Sequence, residues 1–122
     1  MTATRLMFTW RITIRRRTVL NNRRRRPTHP GAILREDILP EMGVTQTRLA
    51  EMLGVSRRTV SELIHEHRPV TTDMAHRLAR VFNTTPESWL RMQEAVDIWD
   101  KLVANKSVYN RIKPLAGSLT AR

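Results

Sequence analysis

The segment Ser56-Arg57-Arg58-Thr59-Val60-Ser61-Glu62 sets two guanidinium groups, three hydroxyls and a carboxylate within seven residues. A set of this kind makes hydrogen bonds rather than covalent ones. The Arg side chain is a planar fork that donates twice to paired acceptors, as guanine presents them at O6 and N7; a Glu carboxylate accepts from cytosine N4. On a helix starting at Arg57, residues Ser56, Arg57, Arg58, Ser61, Glu62 and His65 face away from Val60, Leu63 and Ile64. Arg57 and Arg58 are the first candidates for reading base edges, and Glu62 is a weaker one. Thr45 and Gln46 just upstream, with Ser56 and Thr59, are placed to hold phosphates through hydroxyl or backbone donors. Arg68 and His67 follow within reach of the neighbouring strand backbone. The bland reading of Arg57 and Arg58 is a solvated basic face.

Bond-making chemistry has no comparable support. The chain has no Cys, hence no thiolate nucleophile, disulfide or Cys-type zinc site. His65 and His67 fall on different faces at a helix end, His29 and His76 lie elsewhere, and no acid cluster completes a tetrahedral set. There is no Gly-rich phosphate loop, no paired-carboxylate arrangement and no Ser/His/Asp constellation. Enzymatic activity, a metal and a cofactor are therefore not expected.

Arginine forks read a groove only when held on a short, rigid rod. Thr45 is a good N-cap for a helix from Gln46 to Leu53, Gly54 closes it in the left-handed conformation, and Ser56 caps the next helix, from Arg57 to about His65. Leu49, Leu53, Val60 and Leu63 would form the core between the pair, with Ala50 small where the helices cross and Val55 plugging the corner. An ordinary helical hairpin has the same apolar spacing but does not require Ala50, Gly54 and Val55 together. The expectation is a helix-turn-helix whose second helix enters the major groove N-terminus first.

The 122 residues suit one compact domain with tails, and 22 Lys+Arg against 11 Asp+Glu leave a net charge of +11, which favours an anionic partner. Nine Arg and no acid fall within residues 1–26, so the rest of the chain is nearly neutral. Such like-charge density resists compaction, and residues 1–26 are expected to be a basic, disordered arm. Three readings of the arm stay open: phosphate binding, a start misassigned upstream of about Val19-Leu20-Asn21, and a mitochondrial-type presequence. A short strand over Phe8–Ile14 also fits the alternation there. No apolar run approaches the roughly 20 residues that span a bilayer, so no membrane partner is expected.

The remaining elements are helical, which makes the expected class all-α. Pro27 and Pro30 precede a first helix near Gly31, and Pro40 should stop or kink it. Thr71 or Thr72 caps a fourth helix with Met74, Ala75, Leu78, Val81 and Phe82 inward. Thr85-Pro86-Glu87 opens a fifth, expected to run to about Leu102 or Asn105. Trp89, Met92, Val96, Trp99 and Val103 share one stripe of that helix, flanked by Leu90, Ile98 and Leu102. A five-helix domain hardly buries all of these, so the surplus suggests a helix-mediated dimer, against the simpler reading of intramolecular core. The expected organisation is a helix-turn-helix domain over residues 27–112, including this dimerisation helix, and a flexible tail over 113–122.

The runs Arg26-Pro27-Thr28-His29-Pro30-Gly31, Thr45-Gln46-Thr47-Arg48-Leu49-Ala50 and Leu53-Gly54-Val55-Ser56-Arg57-Arg58-Thr59-Val60-Ser61 resemble HigA-type antitoxins of the Cro/repressor-like helix-turn-helix class. The likeness continues through Val70-Thr71-Thr72-Asp73-Met74-Ala75, Asn83-Thr84-Thr85-Pro86-Glu87-Ser88-Trp89-Leu90, Met92-Gln93 and Asp97-Ile98-Trp99. The resemblance implies a cytoplasmic bacterial protein whose partners are double-stranded operator DNA, a small RelE-like toxin and a second copy of itself. It implies DNA contacts at Gln46, Ser56, Arg57, Arg58 and Glu62. The family often carries Asn-Gly after its second helix where this chain has His65-Glu66, so a strained Glu66 or a longer helix is expected. A stand-alone repressor without a toxin is the alternative, and a protein-interaction module that no longer binds DNA is a third.

Overall fold

The computed structural model describes residues 25–116, and within them the chain forms five helices and no strand. Helix α1 covers residues 30–42, α2 is Gln46–Leu53, α3 is Arg57–Ile64, α4 is Thr72–Phe82 and α5 is Pro86–Asn110. The all-α helix-turn-helix expectation therefore holds. The readings of residues 1–24 as an arm, a strand or a misassigned start lie outside the described residues, as does the tail from residue 117.

The opening of α1 shows why His, Pro and Gly occur there in that order. His29 Nδ1 accepts from the Gly31 N–H at 2.9 Å and caps the helix, while Pro30 sits at the first turn, where its missing N–H is not needed. Gly31 lies against the end of α3: a Cβ there would come within 1.9 Å of the Leu63 carbonyl oxygen, so only Gly permits this approach.

Pro40 does not stop α1. The helix widens over Leu34–Ile38 into a π-helical turn, with the Leu39 N–H bonded to the Leu34 carbonyl, and continues as Leu39–Met42. The wider turn accommodates the proline ring, which in a regular α-helix collides with the carbonyl four residues back.

The capping hydroxyls anticipated for the later helices are in place: Thr45 accepts from Arg48 N–H, Ser56 from Thr59, Thr71 from Met74 and Thr85 from Ser88. Each typically contributes about 1 kcal/mol. The core gathers Leu34, Leu49, Val60, Leu63, Ala75, Leu78 and Trp89, all with no exposed area. Trp89 packs on Phe82 with ring centroids 6.0 Å apart and donates from Nε1 to Thr84 Oγ1 at 2.8 Å, which satisfies its one buried polar atom.

Two boundaries differ from expectation. Helix α5 runs past Leu102 and Asn105 to Asn110, and Asn105 marks only a local break (φ −126°, ψ 25°), its amide donating to the Lys101 carbonyl. At the other end, Arg26, expected to belong to the arm, is fastened to the domain. Its Nε and Nη2 donate to the two oxygens of Asp100 at 2.8 and 3.0 Å, and Nη1 to Glu66 Oε1 at 3.2 Å. Sequence charge density warned of repulsion, but not that two carboxylates from distant segments wait beside this one Arg.

Candidate nucleic-acid interface

Helices α2 and α3 meet at Gly54, whose φ of +73° is the left-handed conformation. The Val55 N–H returns to the Ala50 carbonyl at 3.0 Å and the Gly54 N–H to Glu51 at 3.2 Å, which closes α2 within one residue. Arg77, projecting from α4, donates from Nη1 to the Leu53 carbonyl at 2.8 Å and is steadied by Asp73 Oδ2 at 2.8 Å. A Cβ on Gly54 would sit 3.3 Å from that guanidinium. The hinge is thus held by the turn and by a third helix together.

Helix α3 ends with a left-handed residue as well, but it is Glu66 rather than Gly, at φ +65°. The His67 N–H bonds to Glu62 O at 2.8 Å and the Glu66 N–H to Leu63 O at 3.1 Å, the paired bonds of a Schellman ending. Of the two expectations for His65-Glu66, the strained backbone is the one realised; the helix itself stops at Ile64. Arg35 from α1 donates to the Ile64 carbonyl at 2.6 Å and to Glu36 at 2.8 Å, with Glu66 at 3.5 Å. Bonding to Glu36 and Glu66 raises the Arg35 pKa, bonding to Asp100 and Glu66 raises that of Arg26, and Arg26 in turn holds the Asp100 carboxyl below its ordinary value.

On the outward face, Ser56, Arg57, Arg58 and Arg68 are exposed, while Thr59, Ser61 and Glu62 are half-buried. Among the described residues Arg57 forms no ion pair. Arg58 leaves 87% of its side chain in solvent and touches Glu62 Oε2 through Nε at 3.2 Å. Arg68 holds Glu62 Oε1 through Nε and Nη2 at 3.1 and 2.6 Å. These bonds, Arg68 first and Arg58 second, keep the Glu62 carboxyl below its ordinary value. The carboxylate proposed for a cytosine is thus already occupied in the free chain. Thr45 and Ser56, proposed for phosphates, spend their hydroxyl oxygens on caps, and Ser56 Oγ also lies 2.9 Å from Thr59 Oγ1. Gln46, half-buried, opens α2 beside them.

Three residues that position this face were not singled out from sequence: Arg35, Arg77 and Gln93. Gln93 is buried; its Oε1 accepts from the Val70 N–H at 2.9 Å, and its Nε2 donates to Asp97 at 3.0 Å, tying the segment after α3 to α5. The Asp73–Arg77 spacing and the Gln within an apolar stripe were visible signals, but the carbonyl and N–H they serve lie 23 or 24 residues away.

The stripe of α5 divides in the structure. Trp89 and Val96 are buried within the chain's own fold and Met92 packs against the core. Trp99 is half-buried, and Val103 is 65% exposed, beside Ile98 at 62% and Leu102 at 47%.

Residues 34–90 match the helix-turn-helix family. The chain is 42% identical over 96 residues to Antitoxin HigA-1 of Vibrio cholerae, covering 79% of this chain and 90% of that one. It is 49% identical over 76 residues to the HTH-type transcriptional regulator YbaQ of Escherichia coli, covering 62% and 67%. Its fold is similar to that of the Pseudomonas aeruginosa antitoxin HigA solved with the higBA promoter: TM-score 0.70, 38% identity, 74% of this chain and 99% of that one. A helix pair joined at a left-handed glycine, an exposed arginine pair at the start of its second helix and these relatives agree, and the chain belongs to the HigA-type family of DNA-binding helix-turn-helix proteins.

Proposed function

We propose that this chain is the antitoxin of a toxin–antitoxin pair. It binds and neutralises a small RelE-like mRNA-cleaving toxin and, as a two-fold dimer, occupies palindromic operator DNA to repress its own operon. The observation that carries this reading is the likeness to a HigA antitoxin solved with its promoter, almost all of which this chain spans.

In the proposed complex Arg57 and Arg58 read base edges from the start of α3. Thr45, Gln46, Ser56 and Thr59 line the phosphates on either side, Ser61 faces the DNA from the outward side of α3, and Arg68 contacts the backbone beyond. The eight arginines among residues 1–25 add sequence-independent attraction, while Arg26 stays with Asp100 and Glu66. Apolar area left open on α5 at Val103, Ile98 and Leu102, with part of Trp99, supports the dimer.

A repressor without a toxin is the second reading: the helix-turn-helix face serves it equally, and the chain is also similar to YbaQ, an uncharacterized HTH-type transcriptional regulator. Co-expression of the adjacent small reading frame (about 90–110 residues, the size of one small domain) with a tagged copy of this chain separates them. Rescue of growth together with co-purification establishes the antitoxin. Salt-dependent binding to its own promoter with neither rescue nor co-purification establishes the stand-alone repressor, and loss of promoter binding as well sinks both.

A further inference from the structure

Glu62 stands in the middle of the outward face of α3 with both oxygens taken by different cations. Arg58 reaches Oε2 from one helical turn earlier, and Arg68 reaches Oε1 from the segment after the helix. The side chains are 87% exposed for Arg58, 45% for Arg68 and 30% for Glu62. Glu62 is therefore the anchored member of the trio and the arginines are the movable ones. The apolar anchors of α3 are Val60, Leu63 and Ile64 on the opposite side, so the carboxylate is not a core requirement. On a surface meant for phosphates it repels the ligand and halves the free positive charge of its two partners.

We propose that Glu62 is a positioning residue that latches Arg58 and Arg68, raising sequence selectivity by weakening attachment to DNA at large, and that it does not read a cytosine. The proposal rests on the reading of α3 as the DNA-reading helix. Exposed ion pairs are weak and exchange readily. A guanine edge offers Arg58 two aligned acceptors in a partly desolvated groove, which is enough to draw it from Glu62. An isolated phosphate offers a single exposed charge that competes with the carboxylate on nearly equal terms. The latch therefore discriminates by what it lets go for.

The test uses the full chain, a labelled pool of random-sequence duplexes and a duplex enriched from that pool by the wild type. Glu62→Gln keeps size and helix, and Glu62→Ala repeats the measurement without a residual amide; circular dichroism verifies that both fold. Each variant is expected to bind the unselected pool more tightly and the enriched duplex with a smaller gain, so the specificity ratio falls. One released counterion's worth of slope makes the gain on the pool about 3.5-fold larger at about 50 mM salt than at about 200 mM. Without DNA, the Arg58 and Arg68 side-chain Nε–Hε NMR signals are expected to move toward those of free arginine in both variants. Weakened binding to the enriched duplex, with preference relaxed at one C·G pair and the pool unaffected, assigns base reading to Glu62 and overturns the latch. Unchanged binding to both DNAs overturns it too. A wild-type chain that enriches no sequence defeats the DNA reading itself, and the latch falls with it.

Discussion

Arg57 and Arg68 are both exposed cations on one face, yet they differ in what they can offer DNA. Arg57 is unengaged among the described residues and sits at the first position of α3, whereas Arg68 lies in the following segment on the Glu62 carboxylate. If Arg57 reads a base, Arg57→Ala costs about 1–3 kcal/mol on the enriched duplex and relaxes preference at one base pair. Arg68→Ala weakens all sequences alike and flattens the salt slope by about one. Titrations of both variants across salt check this; an intact sequence preference in Arg57→Ala would remove it from the readers. His29 makes a different prediction. It is buried, and burial, more than any neighbouring charge, lowers its pKa below the usual 6.5. The native ring stays neutral, with Nδ1 bonded to Gly31, while the unfolded chain takes up a proton below about pH 6.5. Stability should hold above that pH and decline as the pH falls below it, levelling off once the native ring itself protonates. His29→Asn, which keeps an acceptor for the cap but does not titrate, should flatten this decline in urea unfolding compared at pH 7.5 and 5.5.

At the scale of elements, both helices of the helix-turn-helix pair end on carbonyls served by an Arg from elsewhere: Arg77 for α2 and Arg35 for α3. A cation at a helix C-terminus also opposes the negative end of the dipole. The end of α3 carries a conflict that the end of α2 does not, because Glu66 occupies a left-handed position where Gly54 is at ease. That conformation costs a non-glycine residue about 1–2 kcal/mol. The compensation is ionic, from Arg26 at 3.2 Å and Arg35 at 3.5 Å, and such part-exposed pairs contribute about 0–1 kcal/mol. Two substitutions separate the terms. Glu66→Gln keeps the strain and removes the charge, so it should destabilise slightly; Glu66→Gly removes both and should be about 1 kcal/mol more stable than Glu66→Gln. Thermal unfolding of the pair decides it, and the reverse order would mean that the ion pairs outweigh the backbone.

At the scale of the whole molecule, α5 is where one chain ends its own packing and leaves apolar surface over. Its first half is buried through Trp89, Gln93 and Val96, and from Ile98 onward the large apolar residues other than the half-buried Trp99 are exposed. In the proposed dimer that surface seats a second copy and sets two α3 helices one DNA turn, about 34–36 Å, apart. Ile98→Glu combined with Val103→Glu is expected to convert the dimer to a monomer in light scattering with the helical content unchanged, because neither side chain supports the single-chain core. Binding to a palindromic duplex should then fall well below that of the wild type. A dimer that survives both charges would move the interface elsewhere.

The chain sequence determined the features that are local in the backbone. Hydroxyl caps at Thr45, Ser56, Thr71 and Thr85, the glycine hinge and the apolar spacing of α2 to α4 act within a turn or two, so residue type and spacing suffice to reveal them. The outward placement of Arg57 and Arg58 followed from the same periodicity. Tertiary structure alone decided which long side chains meet across elements: Arg26 with Asp100, Arg35 with Ile64, Arg77 with Leu53, Gln93 with Val70 and Arg68 with Glu62. It also decided that α1 passes through Pro40 by widening and that Gly31 is required by a carbonyl from another helix. The physical reason is reach. Flexible charged side chains satisfy whatever backbone group or ion folding brings near, and that neighbour is set by the packing of the helices, which no single segment specifies.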